Sequence, residues 1–217
     1  MMDIASNIKN FKEELGEGVT LVAISKTKPN EDIIAAYNAG QRIFGENKIQ
    51  EMTEKQEALP QDIEWHMVGH VQRNKVKYMA PYVSLVHAVD SLKLLKELNK
   101  EAKKNNRSIN CLLQIKIAEE ESKFGINAAE AKEILESDAF SNFKNVKVIG
   151  LMGMATFTDD MEQVRREFSH LRNVFEDLKQ DHPQLEKLSM GMSGDYKIGI
   201  ECGSNMVRIG SSIFGER

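Results

Sequence analysis

Short, nearly uninterrupted apolar runs recur along the chain, separated by longer stretches in which apolar residues fall three or four apart. The runs are Thr20 to Lys26, Arg42 to Glu46, Glu64 to Gly69, Val83 to Val89, Asn110 to Ile117, Val146 to Ala155, Lys187 to Met192 and Met206 to Ser211. A run without polar alternation suits a strand buried on both faces, as in a parallel sheet covered by helices. The intervening stretches have helical spacing: Glu31 to Ala39, Ser91 to Lys104, and Asp160 to Gln180. In the last of these, Met161, Val164, Phe168, Leu171, Val174, Phe175 and Leu178 form one apolar stripe. Asp3 to Leu15 predicts a further helix before the first strand. Pro29-Asn30-Glu31, Asp90-Ser91, and Asn127 with Glu130 three residues on are helix-start signals.

Eight strands alternating with helices predict an α/β fold, a closed (β/α)8 barrel of the TIM type. An open, doubly wound sheet gives the same alternation and stands as the alternative. No Pro/Gly/Ser-rich linker or low-complexity tract interrupts the pattern, so residues 1–217 are expected to form a single domain. A 41% apolar and 29% charged composition is that of a globular protein. The net charge of -4, with both signs interspersed, offers no basic stripe for nucleic acid. No apolar stretch approaches the roughly 18 residues of a membrane span, and the first residues lack a secretory layout, so a cytoplasmic protein without membrane contact is expected. Cys111 and Cys202 fall outside any metal or disulfide spacing and read as free thiols.

In a barrel of this kind ligands sit at the C-terminal ends of the strands, so polar residues that close apolar runs carry the most weight. Lys26 closes the first run; beside apolar walls its amine would be a nucleophile toward an aldehyde or ketone, although a solvated cap is the ordinary role of such a lysine. Phe44-Gly45-Glu46-Asn47 closes the second run with residues that also suit a plain turn. His66 and His70 in the third are four apart, but on a strand and its loop, and metal ligation is not expected. Gln72-Arg73-Asn74-Lys75 could touch a ligand or simply begin a helix. Ser189-Met190-Gly191-Met192-Ser193-Gly194-Asp195 and Arg208-Ile209-Gly210-Ser211-Ser212 are small-residue turns after the seventh and eighth runs, where barrels commonly bind phosphate. Either could be an ordinary tight turn; together they suggest a phosphate cradle facing Lys26. Pyridoxal 5'-phosphate (PLP), with an aldehyde at one end and a phosphate at the other, would span that gap as a Schiff base on Lys26. The methionines of Leu151-Met152-Gly153-Met154 and Met190-Gly191-Met192 could line such a pocket or fill the core.

From Thr20 to Arg217 the chain resembles the pyridoxal phosphate homeostasis proteins, or YggS family. The resemblance rests on Val22-Ala23-Ile24-Ser25-Lys26, Phe44-Gly45-Glu46-Asn47, Trp65-His66 through Asn74-Lys75, Glu121-Ser122-Lys123, Gly150-Leu151-Met152, Leu188 through Ser193, and Val207-Arg208-Ile209-Gly210 through Ile213-Phe214-Gly215. It implies a PLP fold type III barrel similar to the N-terminal domain of alanine racemase, without that enzyme's C-terminal β domain. It also implies Lys26 as the Schiff-base lysine and Arg208 facing the pyridine nitrogen. Ser193, Gly194, Gly210 and Ser211 would hold the phosphate, with Asn47 and Met154 near the ring. Ser211 stands where many members have threonine, and Phe124 and Ala118-Glu119-Glu120 depart from the usual wording, which bears on the pocket mouth.

Racemisation needs an acid/base group on each face of the substrate, and Lys26 serves one. In alanine racemase the opposing tyrosine belongs to the β domain, whereas this chain ends at Arg217. An arginine at the ring nitrogen only donates, which leaves the ring a weak electron sink. The expected function is therefore a non-enzymatic, monomeric carrier that buffers or delivers PLP, with PLP-dependent apo-enzymes as recipients and an effect on amino-acid and keto-acid metabolism. A PLP-dependent enzyme of the racemase or decarboxylase type is the alternative; a cofactor-free Schiff-base lyase acting on a phosphosugar is a third reading.

Overall fold

Strands buried on both faces must direct alternate side chains into two separate cores, one inside the sheet and one between sheet and helices. The computed structural model, which describes residues 3–119 and 124–216, has both cores. The strands are β1 (Thr20–Ile24), β2 (Ile43–Glu46), β3 (Glu64–Met67), β4 (Leu85–Val89), β5 (Ile109–Gln114), β6 (Val146–Met152), β7 (Lys187–Met192) and β8 (Met206–Ile209). All pair in parallel in chain order, and β1 closes on β8 through the register Thr20 to Met206 and Ala23 to Ile209. That pairing makes a closed barrel and excludes the open sheet.

The helices are α1 (Ile4–Leu15), α2 (Asn30–Asn38), α3 (Ile49–Ala58), α4 (Val76–Met79), α5 (Leu92–Lys104), α6 (Ala128–Glu136), α7 (Asp138–Ser141), α8 (Met161–Asp181), α9 (Tyr196–Glu201) and α10 (Ser211–Phe214). Their starts follow the local chemistry. Asp3 caps α1 through the Ser6 N–H, Ser91 caps α5 through the Leu94 N–H, and Asn127 with Glu130 forms a reciprocal capping box on α6. Among the described residues, no helix is long and apolar enough to cross a membrane.

Between the barrel and the helices, Phe44, Trp65, Leu113, Leu151, Phe168 and Leu171 belong to one large apolar cluster. Inside the barrel Val22, Leu85, Ala88, Leu112, Met152 and Met206 form a second, with Ile24, Ile43, Ile149 and Met154 packed against it. The alternation is visible on neighbouring residues: Val22 and Met206 belong to the inner cluster, Ala23 and Val207 to the outer. A Cβ on Gly150 would lie 1.8 Å from the Lys187 carbonyl oxygen, so β6 can approach β7 there only with glycine.

Several strands stop short of their apolar runs. β1 ends at Ile24 rather than Lys26, β6 at Met152 rather than Ala155, and Ser211 begins α10 instead of ending β8. Ser25 N–H still donates to the Gly45 carbonyl at 3.1 Å, and then Thr27 turns the chain away with φ 63°. The residues with the candidate chemistry therefore sit in the turns just beyond the ladders, where the backbone is free to re-aim them. Glu120, the Glu121-Ser122-Lys123 motif and Arg217 lie outside the described residues.

Candidate cofactor site

Beyond β1 the two-residue period continues, and Lys26 falls on the same side as the inward Val22 and Ile24. Its half-buried side chain lines a cavity of about 930 Å³ at the C-terminal ends of the strands. Ser193, Gly194, Arg208, Gly210 and Ser211 line the same cavity, so six of the eight residues singled out from the sequence meet in one place.

Arg208 reaches the cavity from β8 and is 4% exposed. Its guanidinium donates to the Ser189 carbonyl at 3.0 Å, the Ser189 hydroxyl at 2.6 Å and the Gly153 carbonyl at 3.0 Å. Burial lowers its pKa to about 10, with Asp195 acting in the opposite direction, so it remains a cation at neutral pH. Because arginine only donates, Ser189 Oγ accepts from it and passes its own hydrogen to His87 Nδ1 at 3.2 Å. His87 then carries its proton on Nε2 and donates to His66 Nδ1 at 3.1 Å. Burial drives the His66 pKa down to about 3 and that of His87 well below its usual value, the latter helped by repulsion from His66 and Arg208, so both rings are neutral. A chain of hydrogen bonds with one direction thus runs across the barrel interior from β8 to β3.

The turns after β7 and β8 are joined by a hydrogen bond from Gly210 N–H to Ser193 Oγ at 3.3 Å. Asp195 Oδ1 accepts from Met192 N–H at 2.5 Å, which closes the first turn; burial raises the Asp195 pKa. Gly191 adopts φ 97°, and a Cβ there would meet Tyr196 Cα at 2.8 Å. Gly194 is open, with nothing within 4 Å of a built Cβ. The N–H groups of Ser211 and Ser212, the first two of α10, and that of Gly194, just ahead of the α9 N-cap Asp195, have no acceptor among the described residues.

The other two candidates are not among the residues lining this cavity. Asn47, half-buried after β2, is absent from the lining, and its backbone is closely approached by Gly69. Met154 packs against the inner cluster. His66 and His70 do not converge: His70 is exposed, 3.7 Å from Asp90 and stacked at 5.4 Å on Phe124. Among the described residues there is no group of three His, Cys, Asp or Glu that could hold a metal ion. Sequence reasoning missed Lys28 and the turn Thr156 to Asp159 as cavity walls, and His87 as the partner of His66. The signal for His87 was present, a polar residue at an inward position of an otherwise apolar run.

The family model for the alanine racemase N-terminal domain matches residues 2–217. A pyridoxal phosphate homeostasis protein of Aquifex aeolicus is 39% identical over 219 residues, covering 99% of this chain and 95% of that protein. This chain belongs to that family. The structure of PipY of Synechococcus elongatus with PLP bound matches with a TM-score of 0.89 at 33% identity, over 98% of this chain and 100% of that one. Alanine racemase from Corynebacterium glutamicum matches with a TM-score of 0.74 at 14% identity, covering 99% of this chain and 60% of the enzyme, a likeness of fold.

Proposed function

We propose that the chain holds PLP in this cavity as a Schiff base on Lys26 and takes part in PLP homeostasis by buffering or delivering the cofactor. The observation that carries the reading is that Lys26, Arg208 and the two small-residue turns line one cavity of about 930 Å³. The donor set fits the cofactor: an amine for the aldehyde, unpaired N–H groups and hydroxyls for the phosphate, and a buried guanidinium that has used three of its five N–H donors on protein acceptors. PLP supplies an aldehyde when bound. Lys26 would hold the aldehyde carbon through its Nζ, with the aldehyde oxygen released as water. The names of the relatives and the PLP-bound PipY structure support the same cofactor.

A carrier, not an enzyme, is the role we assign. Among the described residues, the titratable side chains lining the cavity are Lys26, Lys28, Asp159, Asp195, Arg208 and Glu216. Arg208 only donates and Asp195 Oδ1 already accepts from Met192 N–H, which disfavours both as a base opposite Lys26; Asp159 and Glu216 are the remaining carboxylates of the lining. The chain would work as one cytoplasmic, monomeric domain, with PLP-dependent apo-enzymes as recipients and amino-acid and keto-acid metabolism as the processes affected.

Mixing the purified chain with PLP should give a yellow absorbance band that Lys26→Ala abolishes. A band that survives in Lys26→Ala refutes the assignment. Lys26-dependent exchange of amino-acid α protons in deuterated water at catalytic rates would replace the carrier with an enzyme.

A further inference from the structure

Lys26 is flanked by residues whose backbone is gripped by side chains from outside the barrel. On one side, Ser25 is fully buried; its hydroxyl donates to Glu46 Oε1 at 2.6 Å and its carbonyl accepts from Lys55 Nζ at 2.8 Å. On the other, Thr27 N–H donates to Glu51 Oε1 at 2.5 Å. Lys55 Nζ binds the two carboxylates together, 2.8 Å from Glu46 Oε1 and 2.7 Å from Glu51 Oε1, and so spends its three protons on Ser25, Glu46 and Glu51. These groups come from the end of β2 and the first half of α3, on the helix side of the sheet, whereas Lys26 lines the cavity.

The turn they grip is one a free chain would avoid. Thr27 has φ 63°, a left-handed conformation that is unfavourable for a β-branched residue and persists only where its surroundings enforce it. The hydrogen bond from Thr27 N–H to Glu51 is such an enforcement, and Lys55 holds Glu51 in place. Burying a lysine and a carboxylate together brings little net stability, so stability alone does not account for this cluster at this position.

We propose that Glu51, Lys55 and Glu46 are positioning residues for Lys26: by clamping Ser25 and Thr27 they fix the turn that aims the amine into the cavity. The proposal rests on the Schiff-base reading above and adds the device that orients its nucleophile. A misplacement of about 1 Å can cost a bond-forming step on the order of a hundredfold.

The test compares Glu51→Ala, which releases Thr27 N–H, with Glu51→Gln, whose amide oxygen can still accept from it. Three quantities are read on the full chain: the rate at which the absorbance band appears on adding PLP, hydrogen exchange at Thr27 N–H, and thermal stability. We expect Glu51→Ala to slow the band about tenfold and to speed Thr27 exchange, and Glu51→Gln to recover the rate to within about twofold. Rescue by Gln together with unchanged melting separates positioning from a merely structural role. If the wild-type chain forms the band and Glu51→Ala forms it equally fast while Thr27 exchange rises, the positioning role is overturned and the Schiff-base reading survives. If the wild-type chain forms no band, both fall.

Discussion

Across the cavity, the turn carrying Lys26 is held by a cluster of three charged side chains, whereas the turns after β7 and β8 are held by single links from a backbone N–H to Ser193 Oγ or Asp195 Oδ1 between small residues. On the Lys26 side Glu46, Glu51 and Lys55 converge on two peptide units. On the opposite side the links are Gly210 N–H to Ser193 Oγ and Met192 N–H to Asp195 Oδ1, and the walls are glycine and serine. The difference follows from what each side has to do. A nucleophile must point in one direction, which calls for braces with fixed geometry. A phosphate dianion is bound by several N–H groups at once, which calls for room and for glycines where Cβ atoms would intrude.

Breaking the charged side should have the largest effect. Lys55→Met leaves Glu46, 0% exposed, buried with its counter-ion gone, and should cost about 3–5 kcal/mol in urea unfolding. A loss below about 1 kcal/mol would mean that the cluster is already open to water. Breaking the backbone side should cost less: Gly191→Ala forces alanine into φ 97° against Tyr196 Cα and should lose about 1–3 kcal/mol and displace the start of α9. Gly194→Ala, three residues on with open space around it, should stay within about 0.5 kcal/mol of wild type by the same measurement.

The interior hydrogen-bond chain links the backbone-built side to β3, and it can be weakened with acid. The His66 pKa is about 3 in the folded chain against a reference of 6.5, so between those values the unfolded chain binds a proton that the folded one does not. Its contribution is complete above pH 6.5 and is lost as pH falls toward 3, at about 1.4 kcal/mol per pH unit for this one group. Urea melts at successive pH values should show that slope flattened in His66→Asn.

The contrast between the two sides also explains what could be read from the sequence. The glycine-serine side was legible, because Ser193, Gly194, Gly210 and Ser211 are contiguous with the runs that form β7 and β8. Strand number and helix starts were legible for the same reason: each depends on residues close in the chain. The brace was not, because bringing Ser25, Glu46 and Lys55 together depends on the register of β1 on β2 and on how α3 packs back. Glu46 stood in a motif that had been singled out, but its orientation away from the cavity follows from the pleat of β2. Strand ends were overestimated at Lys26 and Ser211 because apolar character continues past the last ladder bond. Asn47, which follows β2, is not among the residues lining this cavity.

The Schiff-base lysine can be located by adding PLP to the full chain, reducing with borohydride, digesting, and finding the pyridoxyl group by peptide mass. One modified residue is expected, Lys26. Modification of Lys28 or of another lysine in its place, or none at all, would contradict it.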